Sequence, residues 1–167
     1  MHGYGIVLDF EGSLHDGFRE VGYIRIKNFE IIDAQEITVG SGCKVKILKS
    51  FLENRYDFFL SHQSNIEKNF IKKVMPYTSF SPSGKWEPWL DTKLIYKKLY
   101  PDLEKYDLKT LTETFLGLTS ISENAALYCD EKKLGFHNSL FDAFCCYALT
   151  KRLSPKVNLQ KFLNPTT

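Results

Sequence analysis

Asp9 and Glu11 stand two residues apart in Leu8-Asp9-Phe10-Glu11, at the end of the apolar run Tyr4–Phe10. In an extended strand, residues two apart share a face, so both carboxylates project together while Phe10 turns to the core. Two like charges side by side at the end of an apolar strand are costly unless a cation or a shared proton relieves them. Taken alone, the pair also reads as a solvated strand end entering a turn at Gly12-Ser13.

A second group lies in Phe58-Phe59-Leu60-Ser61-His62-Gln63-Ser64-Asn65-Ile66-Glu67. An apolar strand delivers His62, and a helix then carries Glu67 in its first turn. In an open sheet such a junction lies at the carboxyl edge, where ligands bind; the plainer role for Glu67 is a first-turn carboxylate favoured by the helix dipole. The third group is Phe136-His137-Asn138-Ser139-Leu140-Phe141-Asp142-Ala143. Ser139 and Asp142 also fit a capping box, in which Asp142 would serve the helix terminus alone.

The elements that must position these residues follow from hydrophobic period. Tyr4–Phe10 has the continuous apolar character of a central strand covered on both faces. Phe18–Lys27 alternates, and Glu30–Val39 gives a third strand, broken near Asp33; the three form an antiparallel meander. Helical spacing begins at Val45 with Leu48, Phe51 and Leu52. Asp57–Ser61 is a strand, Ser64–Val74 a helix, and Pro76 with the Ser-Pro-Ser-Gly stretch at 81–84 a loop. Trp89–Asp91 is a short strand. Helices are expected over Thr92–Leu99, ending before Pro101, over Lys109–Leu116, stopped by Gly117, and over Asn138–Arg152. The order βββαβαβααα implies an α/β fold, a five-stranded mixed sheet flanked by helices.

The 167 residues suffice for one domain with a full core. A net charge of +2 shows no strongly basic tail, which leaves function open, because an acidic metal site offsets basic residues elsewhere. The four cysteines, at 43, 129, 145 and 146, lack the two-residue spacing of a zinc or redox motif. They read as free buried thiols and fit a reducing cytosol. No apolar run approaches the ~18 residues that span a bilayer, and nothing at the N-terminus directs secretion, so a cytoplasmic protein without membrane attachment is expected.

In order and spacing, Asp9-x-Glu11, His62-x4-Glu67 and His137-x4-Asp142 together resemble the DEDDh exonucleases. That family has a ribonuclease H-like fold and includes proofreading subunits of bacterial replicative polymerases, ribonuclease T and oligoribonuclease. The likeness covers about residues 4–152, with support from Leu90-Asp91-Thr92, the Leu108-x-x-Leu111 helix start and Ala143. It implies an exonuclease domain over residues 1–153 and a tail over 154–167, which Leu159, Phe162 and Leu163 could dock.

The resemblance also implies an activity: 3′→5′ hydrolysis of phosphodiester bonds at single-stranded nucleic-acid 3′ ends. Asp9, Glu11, Glu67 and Asp142 would hold two divalent metal ions. Hard oxygen ligands suit Mg²⁺ or Mn²⁺ rather than Zn²⁺. His137 would be the general base, a role suited to the ordinary titration range of histidine. Gly12 and Ser13 would lie beside the terminal nucleotide, with Phe10 and His62 at the same substrate site; His62 reads equally as a structural histidine. Two positions depart from the family pattern: Glu67 replaces an aspartate, and Gly12 a threonine. A polymerase is a possible partner, and a non-catalytic nucleic-acid-binding module on the same fold is the alternative. Most lysines read as scattered and solvated. Trp86 and Trp89 are open to two readings, stacking on a base or packing in the core.

Overall fold

A computed structural model describes residues 2–13, 15–40, 43–77 and 86–163. Among these residues, five strands form one sheet: β1 (Tyr4–Ser13), β2 (Gly17–Lys27), β3 (Glu30–Thr38), β4 (Phe58–Ser61) and β5 (Trp89–Asp91). Their spatial order is β3-β2-β1-β4-β5. β1, β2 and β3 pair antiparallel, whereas β4 runs parallel to both β1 and β5. The sheet is therefore mixed and five-stranded, as the element order implies. Among the described residues, six α-helices flank it: α1 (Lys44–Leu52), α2 (Asn65–Val74), α3 (Thr92–Leu99), α4 (Leu108–Phe115), α5 (Leu118–Ala125) and α6 (Ser139–Leu153).

Alternation along β1 separates two cores. Ile6, Leu8 and Phe10 face a cluster with Leu48 and Phe51 of α1 and Phe70 and Ile71 of α2. Val7 faces the opposite cluster, built on Leu140, Phe141, Phe144 and Tyr147 of α6. Asp9 and Glu11 share Val7's parity and so look toward α6. Helix α6 is buried along most of its length; apolar residues all round are what a central helix requires.

The structure refines several sequence expectations. β3 spans Glu30–Thr38, and the irregularity expected near Asp33 is a register shift against β2: Arg25 pairs with Asp33 and Ile26 with Ile31, which skips Ile32, while Asp33 lies 3.5 Å from the Arg25 guanidinium. An additional helix, α5, follows directly on Gly117, whose φ of +79° suits glycine. The tail folds as a 3-10 helix over Leu159–Phe162, with Leu159 fully buried. Cys129, Cys145 and Cys146 are buried free thiols, but Cys43 is exposed. The Ser-Pro-Ser-Gly loop lies outside the described residues. Among them, no helix is long and apolar enough to cross a membrane.

Gly22 decides how closely α6 approaches the sheet. It lies on β2 directly opposite Asp9, and a Cβ there would stand 2.2 Å from both the Leu140 nitrogen and the Ser139 carbonyl carbon. Those are backbone atoms, so the helix itself would have to shift. Overpacking of this kind costs about 1–3 kcal/mol. Gly22→Ala is thus expected to lower Tm by about 2–12 °C at about 2–4 °C per kcal/mol. Gly40→Ala, with nothing within 4 Å of the added carbon, is the control. Equal thermal melts for the two variants would refute the close-packing role.

Candidate active site

β1, β4 and β5 run parallel, so their carboxyl ends meet at one edge of the sheet, where α2, α3 and α6 begin. Asp9 and Glu11 come from the end of β1. Glu67 comes from the first turn of α2, and Asp142 from the first turn of α6. His137 sits in the loop just before α6. Glu11, His137 and Asp142 offer ligand atoms that all lie within 4.8 Å of one another. Asp9 and Glu67 fall outside that tight group but share its electrostatics.

Asp9 is partly exposed to solvent, yet its carboxyl pKa is raised well above the ordinary range. Burial is the largest cause, followed by the charges of Glu67, Asp142, Glu11 and Glu20. Glu67 is 2% exposed, and burial pushes its pKa up to about 8. Burial likewise pushes Asp142 up to about 7; the His137 amide opposes this and the Glu11 charge adds to it. Among the described residues, Glu67 Oε2 and Asp142 Oδ1 are buried and have no hydrogen-bond partner. Buried carboxylate oxygens without a donor are expensive. A divalent cation would relieve both the orphaned oxygens and the like-charge repulsion, so the donor set fits hard cations.

The capping box does not form. Asn138 is the N-cap without a side-chain bond, and the Ser139 hydroxyl donates to Glu20 Oε1 at 2.8 Å. Asp142 Oδ2 instead accepts from the His137 amide at 2.9 Å. His137 has φ +69°, a conformation costing non-glycine residues about 1–2 kcal/mol, and its side chain is exposed. One oxygen of Asp142 therefore fixes the histidine backbone while the other is buried without a hydrogen-bond partner.

The remaining sequence-derived residues sit as follows. Phe10 is 5% exposed and packs on Phe18 at 4.7 Å between ring centroids. Gly12 lies at a register shift in the β1–β2 ladder, where a Cβ would stand 2.4 Å from the Gly17 carbonyl oxygen. Glycine there follows from the hairpin itself, since a threonine would clash with backbone. The Ser13 hydroxyl donates to Asp16 Oδ2 at 2.8 Å and accepts from the Asp16 amide, so it is engaged in the turn. His62 shares a 2.8 Å hydrogen bond with Thr92 Oγ1, and burial lowers its pKa to about 4. Trp86 and Trp89 are both fully buried beside Phe59; with no exposed ring face, neither stacks on a base. Lys68 is also buried, 3.3 Å from Glu87, and leaves the set of solvated lysines.

Two positioning features emerge only in three dimensions. Asp91 accepts from the Gln63 and Ser64 amides, the Ser64 hydroxyl and the Leu94 amide at 2.8–3.2 Å. It thereby ties the β4–α2 junction to the start of α3 and sets the helix that carries Glu67. As N-cap of α3 it bonds the Leu94 amide, which accounts for one of those four bonds. The second feature is Gly22, whose absent side chain lets the first turn of α6 reach Asp9.

No protein-family model matches the chain, and no curated protein matches it. Among solved structures it is similar to "Exonuclease X in complex with 5' overhanging duplex DNA", with a TM-score of 0.61 and 14% identity. The match covers 95% of this chain and 97% of the other. The chain thus has an α/β, ribonuclease H-like fold, shared with that structure over nearly its whole length.

Proposed function

We propose that this chain is a metal-dependent 3′→5′ exonuclease that removes nucleotides singly from nucleic-acid 3′ ends. The observation that carries the reading is the convergence of Asp9, Glu11, Glu67 and Asp142 on one sheet edge, with two buried carboxylate oxygens unpartnered. An acidic cleft of this kind has little use for an anionic substrate unless cations mediate the encounter. Asp9, Glu11, Glu67 and Asp142 would hold two such ions, Mg²⁺ or Mn²⁺. Bound there, the ions supply positive charge for the scissile phosphate and for the attacking and leaving oxygens.

His137 is the general base. Its exposed imidazole lies beside Glu11 and Asp142, and its backbone is fixed by the Asp142 carboxylate. It takes a proton from water as the oxygen attacks phosphorus. The bond from phosphorus to the 3′ oxygen of the preceding nucleotide breaks, that oxygen takes a proton from solvent to become the new 3′ hydroxyl, and a nucleoside 5′-monophosphate is released. Asp142 keeps the imidazole in place through the His137 amide, and Glu67, from the first turn of α2, adds its charge beside Asp9. Duplex ends belong among the substrates tested, because the structural neighbour was solved with a 5′-overhanging duplex. Buried free thiols suit a reducing, cytoplasmic setting.

The test uses 5′-labelled single-stranded DNA and RNA oligomers, and a recessed duplex, incubated with protein and Mn²⁺. A ladder shortening from the 3′ end is expected. Intact label on every substrate would favour a non-catalytic binding module. His137→Ala is expected to slow the ladder by about 10²–10⁴-fold while keeping the Mn²⁺-induced rise in Tm. A variant as fast as wild type would remove His137 from the reaction.

A further inference from the structure

Glu20, Lys133 and Glu36 form a charged bridge whose place in the fold is more specific than a surface ion pair. Lys133 closes the 3-10 turn Glu131–Lys133, just before the loop that carries His137. Its ammonium donates to Glu20 Oε2 at 2.8 Å and to Glu36 Oε1. The other oxygen of Glu20, Oε1, accepts from the Ser139 hydroxyl at 2.8 Å and from the Ser139 amide at 3.2 Å. One carboxylate on β2 therefore grips both ends of residues 134–138. Glu20 stands directly opposite Glu11 in the ladder, and Glu36 opposite Gly22.

Within the loop, the Asn138 side chain donates to the Gly135 carbonyl, and the His137 amide to Asp142. The left-handed backbone at His137 is a conformation that persists only where surrounding contacts over-determine it. The bridge is well shielded, with side-chain exposures of 34% for Lys133, 14% for Glu20 and 19% for Glu36. It is thus worth more than the near-zero contribution of a fully solvated pair. Burial opposes ionisation of Glu20, but its bonds to Lys133 and Ser139 hold the carboxyl below the ordinary range.

We propose that Glu20, Lys133 and Glu36 form a positioning clamp that sets where the His137 imidazole stands against the carboxylate cluster. The proposal rests on the reading of His137 as general base. It adds residues from two strands and a turn. The Glu36 side chain bonds to Lys133, and Glu36→Gln leaves the backbone pairing of Glu36 with Gly22 intact, so its effect on turnover tests the link through Lys133.

The test compares Lys133→Met, Lys133→Arg and Glu36→Gln in the full chain. Lys133→Met keeps the aliphatic bulk and removes the charge. The expected result is a fall in kcat of about ten- to a hundredfold, the scale of an ångström-sized misplacement, with KM and the Mn²⁺-induced Tm rise unchanged. Lys133→Arg should recover most of kcat. Glu36→Gln should add little when combined with Lys133→Met, because the two share one interaction. Amide hydrogen exchange gives a readout without turnover: the amides of His137 and Ser139 should exchange about tenfold faster or more in Lys133→Met, while those of β1 and β2 stay as in wild type. Unaltered exchange, or wild-type kcat in Lys133→Met, would overturn the clamp. Absence of turnover in wild type would instead overturn the nuclease reading, and the exchange result would still decide the clamp.

Discussion

Asp9→Ala is expected to remain folded and to lose turnover by a factor on the order of a thousand or more. Asp9 is the carboxylate that feels the other acids most widely: Glu67, Asp142, Glu11 and Glu20 all raise its pKa after burial has done so. Ligands to a shared ion pair act as a unit, so loss of one removes much of what the set contributes. The fold should tolerate the change. Alanine fits a strand position facing Gly22, and one source of like-charge repulsion disappears with the side chain. In EDTA the Tm of Asp9→Ala should therefore equal or exceed that of wild type. Glu11→Ala and Asp142→Ala should lose turnover comparably. Ser13→Ala should matter far less, since that hydroxyl is already bonded to Asp16. Turnover above about a tenth of wild type in Asp9→Ala would defeat the metal-ligand assignment.

The chain displays its site unevenly. Asp9 and Glu11 can be read from sequence because strand alternation alone puts them on one face, and the sheet bears this geometry out. The junction carrying Glu67 is equally local, an apolar run followed by a helical period. Gly22 gave no such signal. Its meaning lies in backbone atoms of Ser139 and Leu140, more than a hundred residues away, and an isolated glycine in a strand has many explanations. Glu20 was hidden for the same reason: its partners, Lys133 and Ser139, are 113 and 119 positions distant. Helix α5 buries only Ile121 and Ala125, one i,i+4 pair, which is too thin a stripe to register as a period. Composition misled at Lys68. A lysine is seldom buried, and only the proximity of Glu87 and the Trp89 ring, 5.7 Å from its ammonium, explains why this one is.

Metal-free protein should lose stability as pH rises from about 6.5 to 8, the reverse of the usual trend for a protein with paired carboxylates. Unfolded, Glu67 and Asp142 titrate near their ordinary values and are ionised throughout this window. Folded, they hold protons up to about 8 and about 7. The native state then binds more protons than the unfolded state, so stability falls with pH until the folded groups ionise. His62 acts in the opposite sense, since burial lowers its pKa to about 4. Its contribution rises between about pH 4 and 6.5 and is complete above that, which leaves the higher window to the carboxylates. Divalent ions require the deprotonated ligands, so Mn²⁺ should bind more tightly across the same range. At a hundredfold excess over its dissociation constant, binding adds about 2.7 kcal/mol, or a Tm rise on the order of 5–10 °C. Asp142→Asn provides the decisive comparison. Its amide oxygen can still accept from the His137 amide, so a purely helix-terminal role predicts an unchanged response. A metal-ligand role predicts a higher Tm in EDTA at pH 8, a shallower fall from pH 6.5 to 8, and a smaller rise with Mn²⁺. Glu67→Gln should behave alike, because it removes the other proton released in this window. Melting curves in EDTA and in Mn²⁺ at pH 6.5 and 8 separate the two roles: a flat metal-free profile, or equal Mn²⁺ shifts in wild type and Asp142→Asn, would remove Asp142 from the metal site.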